Sequence, residues 1–289
     1  MATLKDIQIR ITSIQNTQQI TRAMKLVSAS KMKRAEDRIV QARPYSDKLR
    51  GTVSNLSQGI DPSTHPLLEQ REGGKAIAIL VTSDRGLCGG LNSNLCKALD
   101  QYLQENSSKY DSVELAAFGK KGAEFFQKTD FNVTTIYRNL REDEMLSAAT
   151  EKTKELIQQY SKGEFNHILL AFNHFRNVIS QVPTVRNILP IEASAEENES
   201  SEDQAEFIFE PSPEEILNIL LPQYVENQVY TAMLDGFASE HAARMTAMDA
   251  ATENAAEMIE SLQLQYNRAR QSAITSELIE IISGAEAAV

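Results

Sequence analysis

The stretch "DRGLCGG", residues 84–90, invites a nucleotide-binding reading. It follows the aliphatic run "KAIAILV" that starts at Lys75 and precedes a helical pattern, so it could turn a strand into a helix whose backbone N–H groups cradle a phosphate. Its spacing fits neither GxGxxG nor GxxxxGK[ST], since no Lys-Ser/Thr pair follows the glycines. Tight turning and close backbone packing are the simpler reading. Asp84 and Arg85 could form a catalytic charge pair, but a loop ion pair explains them with less. His65, His167, His174 and His241 are scattered without metal-ligand spacing, and His241 falls in an alanine-rich helical pattern where packing accounts for it. Cys88 and Cys96 form no CxxC pair and read as reduced structural thiols. No nucleophile is matched to a base, so no intrinsic catalysis, cofactor or metal is expected.

Charge is the second source of chemistry. Residues 1–50 hold eleven Lys and Arg against four acids, or +7, and the net charge of the whole chain is -11, so the remainder carries -18. A basic arm of this kind can meet nucleic acid, an anionic membrane or an acidic protein. Its cations lie on several helix faces without interleaved aromatics, and the total charge is acidic, which disfavours nucleic acid. No run of about 18 uncharged apolar residues exists, and the first residues lack the apolar block of a secretory signal, so a cytosolic location is expected.

The elements that would position these residues fall into three segments: 1–60, 61–211 and 212–289. From Leu4 to about Gln58 the apolar residues Leu4, Ile7, Ile11 and Ile14, then after a slip in phase Ile20, Met24, Val27, Ala35, Ile39 and Ala42, predict one long helix. Pro44 is expected to bend or interrupt it, because the pattern resumes at Leu49. The turn-rich stretch 61–74 follows. Strands are then predicted in the short β-branched run starting at Lys75 and at 113–119, 132–137 and 167–175, alternating with helices near 93–103, 120–128 and 143–161. Alternation of this kind implies a Rossmann-like, mainly parallel α/β domain. "SQVPTVRNILP" (180–190) adds an edge strand, since Pro183 lacks a ladder donor. Residues 191–206 contain seven acids and no Lys or Arg, and read as a mobile loop; "FIFEP" (207–211) is expected to pair briefly with the sheet. From Pro213 helix resumes nearly to the end, with a kink or fresh start at Pro222, and alanines crowd residues 238–256 so that another helix can approach.

The fold class expected is therefore α/β with a long antiparallel coiled coil, in which the N- and C-terminal helices form a rod. If both helices start together near residues 58 and 213, Leu4 lies opposite roughly residue 267, because both rise equally per residue. About twenty C-terminal residues then overhang. They carry Ile274, Leu278, Ile281 and Ile282 along one side, a stripe that another molecule must cover.

Three stretches, "ITRAMKLVSASKMKRAEDR" (20–38), "TSDRGLCGGLN" (82–92) and "ARQSAITSELIEIISGA" (269–285), closely resemble the F-type ATP synthase gamma subunit, and the similarity runs from end to end through "ASEHAARMTAMDAAT" (238–252). The resemblance implies a non-catalytic central rotor shaft without a small-molecule substrate of its own. Its partners would be the alpha and beta subunits, epsilon and the membrane c ring, at the cytoplasmic face of a bacterial inner membrane. Met24, Lys25, Lys31, Lys33 and Arg34 match the part facing an acidic loop of a beta subunit. Arg268, Arg270, Gln271 and Thr275 match the part meeting the beta subunit's catch loop, and Glu210 matches the foot near the c ring. The tip with Ile274, Leu278, Ile281 and Ile282 would turn in an apolar sleeve. The chloroplast-type insertion with its cysteine pair is absent, which argues against thiol control. The competing reading is a nucleotide-binding enzyme built on the central α/β domain.

Overall fold

A computed structural model describes residues 3–58, 60–129, 131–141, 143–191 and 212–287. Helix α1 spans Leu4–Gln58. It is followed by β1 (Lys75–Val81), α2 (Leu91–Glu105), β2 (Ser112–Phe118), α3 (Lys120–Phe126), β3 (Asn132–Tyr137), α4 (Met145–Ser161), β4 (His167–Phe175), β5 (Gln181–Leu189) and α5 (Pro213–Ala287). Short 3-10 helices at Pro62–Thr64 and Ser107–Lys109 were not anticipated from the sequence. The acidic stretch 192–206 and "FIFEP" with Glu210 lie outside the described residues. Both prolines sit inside continuous helices, Pro44 in α1 and Pro222 in α5, so neither interrupts its helix or begins a new one.

The chain divides into two compact units. One comprises Met1–Ala29 with Arg244–Val289, the other Ser30–Ala243.

The larger unit is built on a five-stranded sheet in the order β3-β2-β1-β4-β5. β1, β2, β3 and β4 pair in parallel and β5 runs antiparallel at the edge beside β4, as Pro183 requires. β1 is buried along six consecutive positions from Ala76, which is why its sequence is continuously apolar rather than alternating. Its odd-numbered residues Ile77 and Ile79 join Phe118, Leu170 and Phe172 in a core completed by α1, α4 and α5 residues such as Ala35, Leu156 and Val229. On the opposite face Ala78 and Leu80 pack with Leu95, Leu99 and Phe126 from α2 and α3.

Two glycines permit approaches that a side chain would block. Gly119 has φ +102°, and a Cβ there would fall 2.1 Å from the Thr82 carbonyl oxygen. Gly236 lets α5 settle on β1, since a Cβ would meet Val81 Cγ1 at 2.9 Å.

In the smaller unit the two terminal helices run antiparallel. Thr3 and Asp6 exchange hydrogen bonds at the start of α1, Thr3 N–H donating to Asp6 Oδ2 (2.9 Å) and Asp6 N–H to Thr3 Oγ1 (3.2 Å), a capping box that fixes where the helix begins. Opposite it, the α5 residues Met248, Thr252, Ala255, Ile259, Leu262, Tyr266, Ala269 and Ala273 are buried or half-buried at alternating steps of four and three. That is the spacing of a left-handed coiled-coil seam.

The α1 seam corrects the sequence reading. Buried or half-buried positions follow one unbroken heptad phase: Leu4, Ile7, Ile11, Ile14, Gln18, Thr21, Lys25 and Ser28 in the smaller unit, then Met32, Ala35, Ile39, Ala42, Ser46, Leu49, Val53 and Leu56 in the larger. There is no slip. Ile20 and Val27, expected on the stripe, are 60% and 57% exposed, whereas Thr21 and Ser28 are buried in their place.

Candidate functional site

The glycine-rich loop after β1 folds onto its own polar groups. Asn92 Oδ1 accepts from Ser83 N–H (3.0 Å), Asn92 Nδ2 donates to Ser83 Oγ (2.7 Å), and Ser83 Oγ–H donates to the Arg85 carbonyl (2.6 Å). Leu87 and Gly89 take positive φ values of 64° and 58°, so the loop does turn tightly, but Gly86 and Gly89 have open space where a Cβ would stand. The close backbone packing expected here belongs instead to Gly119. Asp84 clamps two backbone N–H groups, those of Lys120 (2.9 Å) and Asn139 (2.7 Å), and so ties the loop to the starts of α3 and of the β3–α4 connection. Cys88 and Cys96 are buried and form no disulfide, Cys88 Sγ accepting from Asn92 Nδ2 (3.3 Å), and burial pushes the Cys96 thiol up to about 12, which keeps it protonated and inert. Among the described residues no group of three His, Cys, Asp or Glu could hold a metal ion, and no helix is long and apolar enough to cross a membrane.

The helical candidates present a different picture. Lys25 lies in the seam, its Nζ 2.5 Å from Asp249 Oδ1. Beside it Thr21 and Thr252 share a hydroxyl–hydroxyl bond of 2.7 Å, and Gln18 Nε2 donates to the Thr252 carbonyl (3.4 Å). Met24 is half-buried next to this polar set, while Leu26 is 66% exposed. In the larger unit Lys33 is bracketed by Glu36 (3.2 Å) and Asp37 (3.1 Å), whose hydrogen bonds to its ammonium raise its pKa. Among the described residues Lys31 and Arg34 form no ion pair, nor do Arg268 and Arg270. Arg268, Arg270, Gln271 and Thr275 are exposed on α5, and Thr275 Oγ1 donates only to the Gln271 carbonyl behind it (2.9 Å).

The Met24–Lys25 set and the Arg268–Thr275 set are not brought together. Lys25 faces Asp249, and Asp249 and Arg268 are 19 positions apart on α5, about 28 Å along its axis.

Register decides what the C-terminal part of α5 can touch. Thr21 meets Thr252 in one unit and Ser46 meets Asn227 in the other, and each pair of residue numbers adds to 273. Leu4 therefore stands opposite residue 269, two positions from the sequence expectation. α5 continues to Ala287, so its last turns extend past the capped start of α1. There Ile274, Leu278, Ile281 and Ile282 are 49%, 54%, 67% and 58% exposed, joined by Ile279 at 58%. The stripe begins one residue after the last seam position, Ala273, and one residue turns a helix by about 100°. It faces away from the seam.

Sequence reasoning missed three features. Leu26 and Ile279 widen the exposed apolar surface, and the hydrogen bond between His174 Nδ1 and Asp235 Oδ2 (2.8 Å) joins residues 61 positions apart. Only Leu26 and Ile279 had a local signal, as large aliphatic residues on an otherwise polar helix face.

Comparisons with known proteins bear on these surfaces. The family model described as ATP synthase matches residues 3–288. The ATP synthase gamma chain of Trichlorobacter lovleyi is 46% identical over 286 residues, covering 99% of each chain, and that of Moorella thermoacetica is 43% identical over 287 residues with the same coverage. The chain belongs to the ATP synthase gamma chain family. Membership makes it the non-catalytic central-stalk subunit of a membrane-associated F-type ATP synthase, taking part in ATP synthesis and ion transport through that complex. Two solved structures share its fold. A chain of the Euglena gracilis mitochondrial ATP synthase superposes with TM-score 0.69 at 20% identity, covering 98% of this chain and 94% of that one. A chain of the Tetrahymena thermophila mitochondrial ATP synthase central stalk and c ring gives 0.59 at 24%, covering 80% and 99%.

Proposed function

We propose that this gamma-family chain couples rotation of a membrane c ring to changes of nucleotide affinity in catalytic beta subunits, working at the cytoplasmic face of a bacterial inner membrane. The observation that carries the reading is the exposed stripe Ile274, Leu278, Ile279, Ile281 and Ile282, set off the coiled-coil seam on a regular helix. A large apolar patch on a helix end is unfavourable in water and calls for a partner surface, here an apolar sleeve made by the ring of alpha and beta subunits. The basic residues extend the same reading. Lys31 and Arg34, without an ion pair among the described residues, are available to an acidic beta-subunit loop, and Arg268, Arg270, Gln271 and Thr275 to a catch loop. Met24 would pack beside the first of these contacts. Lys25 and Lys33 are already engaged by Asp249 and by Glu36 and Asp37, so they would have to exchange partners during a turn. Glu210 is assigned to the foot near the c ring, with epsilon contacting the base.

The mechanism follows from asymmetry. A single helix pair cannot present the same face to three equivalent beta subunits, so each is biased toward a different conformation and a different nucleotide affinity. Each ~1.4 kcal/mol of differential contact is worth a factor of ten in affinity, so a few ion pairs and apolar contacts suffice to separate tight from open sites. Linkage makes the coupling reciprocal, and nucleotide binding must push back on the shaft.

The test is a reconstitution of the complex with the chain lacking residues 274–289. Assembly and coupled ATP synthesis should fall sharply while thermal melting of the sheet-bearing unit stays unchanged. A truncated chain that assembled and coupled like the full one would remove the basis of the sleeve.

A further inference from the structure

In the sheet-bearing unit a cavity of about 350 Å³ opens among α1, α5 and strands β4 and β5. We propose that it is a binding site for a small phosphate-class anion. Three guanidinium groups line it, Arg43 and Arg50 from α1 and Arg186 from β5. They reach it from two separate elements, so their convergence is a product of tertiary structure and not of one charged helix face. Among the described residues none of the three has a carboxylate within 4 Å; the polar contact of Arg186 is a hydrogen bond of 3.4 Å to Gln228 Oε1.

The cavity does contain two acids. Asp235 is buried and already engaged by His174 at 2.8 Å, and Asp47 is exposed on α1. The three arginines therefore exceed the two carboxylates of the cavity by one formal positive charge. Their repulsion shows at Arg186: desolvation first, then the charge of Arg50, lowers its pKa, and the charge of Asp235 offsets only part of this. An anion seated between them would relieve that repulsion while gaining charge-assisted hydrogen bonds from planar, bidentate donors.

Arg186 is also held in place. Its guanidinium carbon lies 4.7 Å from the centroid of the Phe172 ring, so the fork is oriented before a ligand arrives and less side-chain entropy is lost on binding. Further neutral donors come from the side chains of Gln228 and Tyr224 at the cavity wall. A tetrahedral, multiply charged oxyanion can use donors converging from several sides; a single planar carboxylate cannot engage three forks at once.

The experiment titrates the full chain at low ionic strength with inorganic phosphate, ADP and acetate by calorimetry, and repeats it with R186Q, R43Q, R50Q and the control R141Q, which lies outside the cavity. Saturable one-to-one phosphate binding is expected, weakened about tenfold or more in R186Q and less in R43Q and R50Q, with R141Q unchanged. ADP binding more tightly than phosphate at the same arginines would identify a nucleotide diphosphate as the source; phosphate binding equally or better would identify the free ion. Circular dichroism accompanies each variant. If R186Q fails to fold, the exposed helix variants R43Q and R50Q carry the same decision. The proposal is overturned by an absence of saturable phosphate binding, by acetate binding as tightly as phosphate, or by affinity that survives the folded cavity variants intact.

Discussion

The same two helices, α1 and α5, meet in both units, yet the middle of the smaller unit's seam is polar where the larger unit's seam is mostly apolar. In the sheet-bearing unit the α1 seam is mostly apolar, with Ala35, Ile39, Leu49, Val53 and Leu56 buried and continuous with the core under the sheet, and with one polar contact, Ser46 to Asn227. In the smaller unit its middle reads Gln18, Thr21 and Lys25, bonded across to Thr252 and Asp249, followed by the buried Ser28. Apolar seams gain stability from area removed from water, while polar seams gain little net energy but restrict which registers are tolerable. The difference suits a sheet-bearing unit that must not deform and a helix pair that must keep one alignment.

The contrast predicts unequal mutational costs. Leu170→Ala in β4, at 0% exposure, should cost about 3 kcal/mol in urea unfolding of the full chain, through lost transfer energy and a residual cavity. A cost below 1 kcal/mol would mean that the sheet face is far looser than its burial implies. Gly236→Ala should cost about 1 kcal/mol: the gain in helix propensity is of that order, but Val81, stiff at χ1, must yield to a Cβ at 2.9 Å, and overpacking costs more. A stabilised variant would show that α5 can lift from β1 freely.

Much of this architecture was legible in the sequence, because the signals were local. Each strand and helix of the α/β region appeared near its predicted place, and Pro183 announced an edge. The α1 seam was misread for a physical reason: period-counting follows apolar residues, and through residues 18–28 the buried positions are polar, while Ile20 and Val27 point outward. Only partners on α5 reveal which face is inside. The His174–Asp235 pair and the convergence of Arg43, Arg50 and Arg186 were equally invisible, since they depend on where β4, β5 and the two long helices meet. The exposed stripe from Ile274 to Ile282 was found because its aliphatic residues recur within two turns and register arithmetic needs only the rise per residue.

A pH experiment sharpens the comparison from the side of the base. His65 Nδ1 accepts from the Leu67 N–H at 3.1 Å, so the imidazole must stay neutral there, and desolvation lowers its pKa below the ordinary 6.5 despite a hydrogen bond with Asn218. The unfolded chain thus takes up the proton first as pH falls. Stability is full above about pH 6.5 and declines below it toward the folded-state pKa. His65→Asn, which keeps an acceptor for Leu67 without titrating there, should lose less stability than the parent between pH 7.5 and 5.5. For a half-buried group solvent screening keeps the gap small. Parallel curves for parent and variant would remove His65 from the acid response.

The smallest stability change is expected in the polar seam, at Thr21 and Thr252. Their hydroxyls bond each other at 2.7 Å; one of the two donates in that bond, and the other is left to donate within its own helix, Thr21 to the Gln18 carbonyl (3.0 Å) or Thr252 to the Met248 carbonyl (2.7 Å). Replacing both by valine removes a matched pair and leaves similar shape, so unfolding should shift by less than about 0.5 kcal/mol. Thr21→Val alone should cost more than the pair, since one hydroxyl then loses its cross-helix partner in a buried position. The sharper readout is alignment. A disulfide probe joining cysteines placed at 18 and 255 should form efficiently in the parent, and in the double variant compete with a pairing displaced by one heptad, because an apolar seam no longer distinguishes neighbouring registers. Equal yields of the native crosslink in both chains would show that the register is held elsewhere, by Lys25 and Asp249 or by the packed base, and that the polar seam is not what sets the alignment.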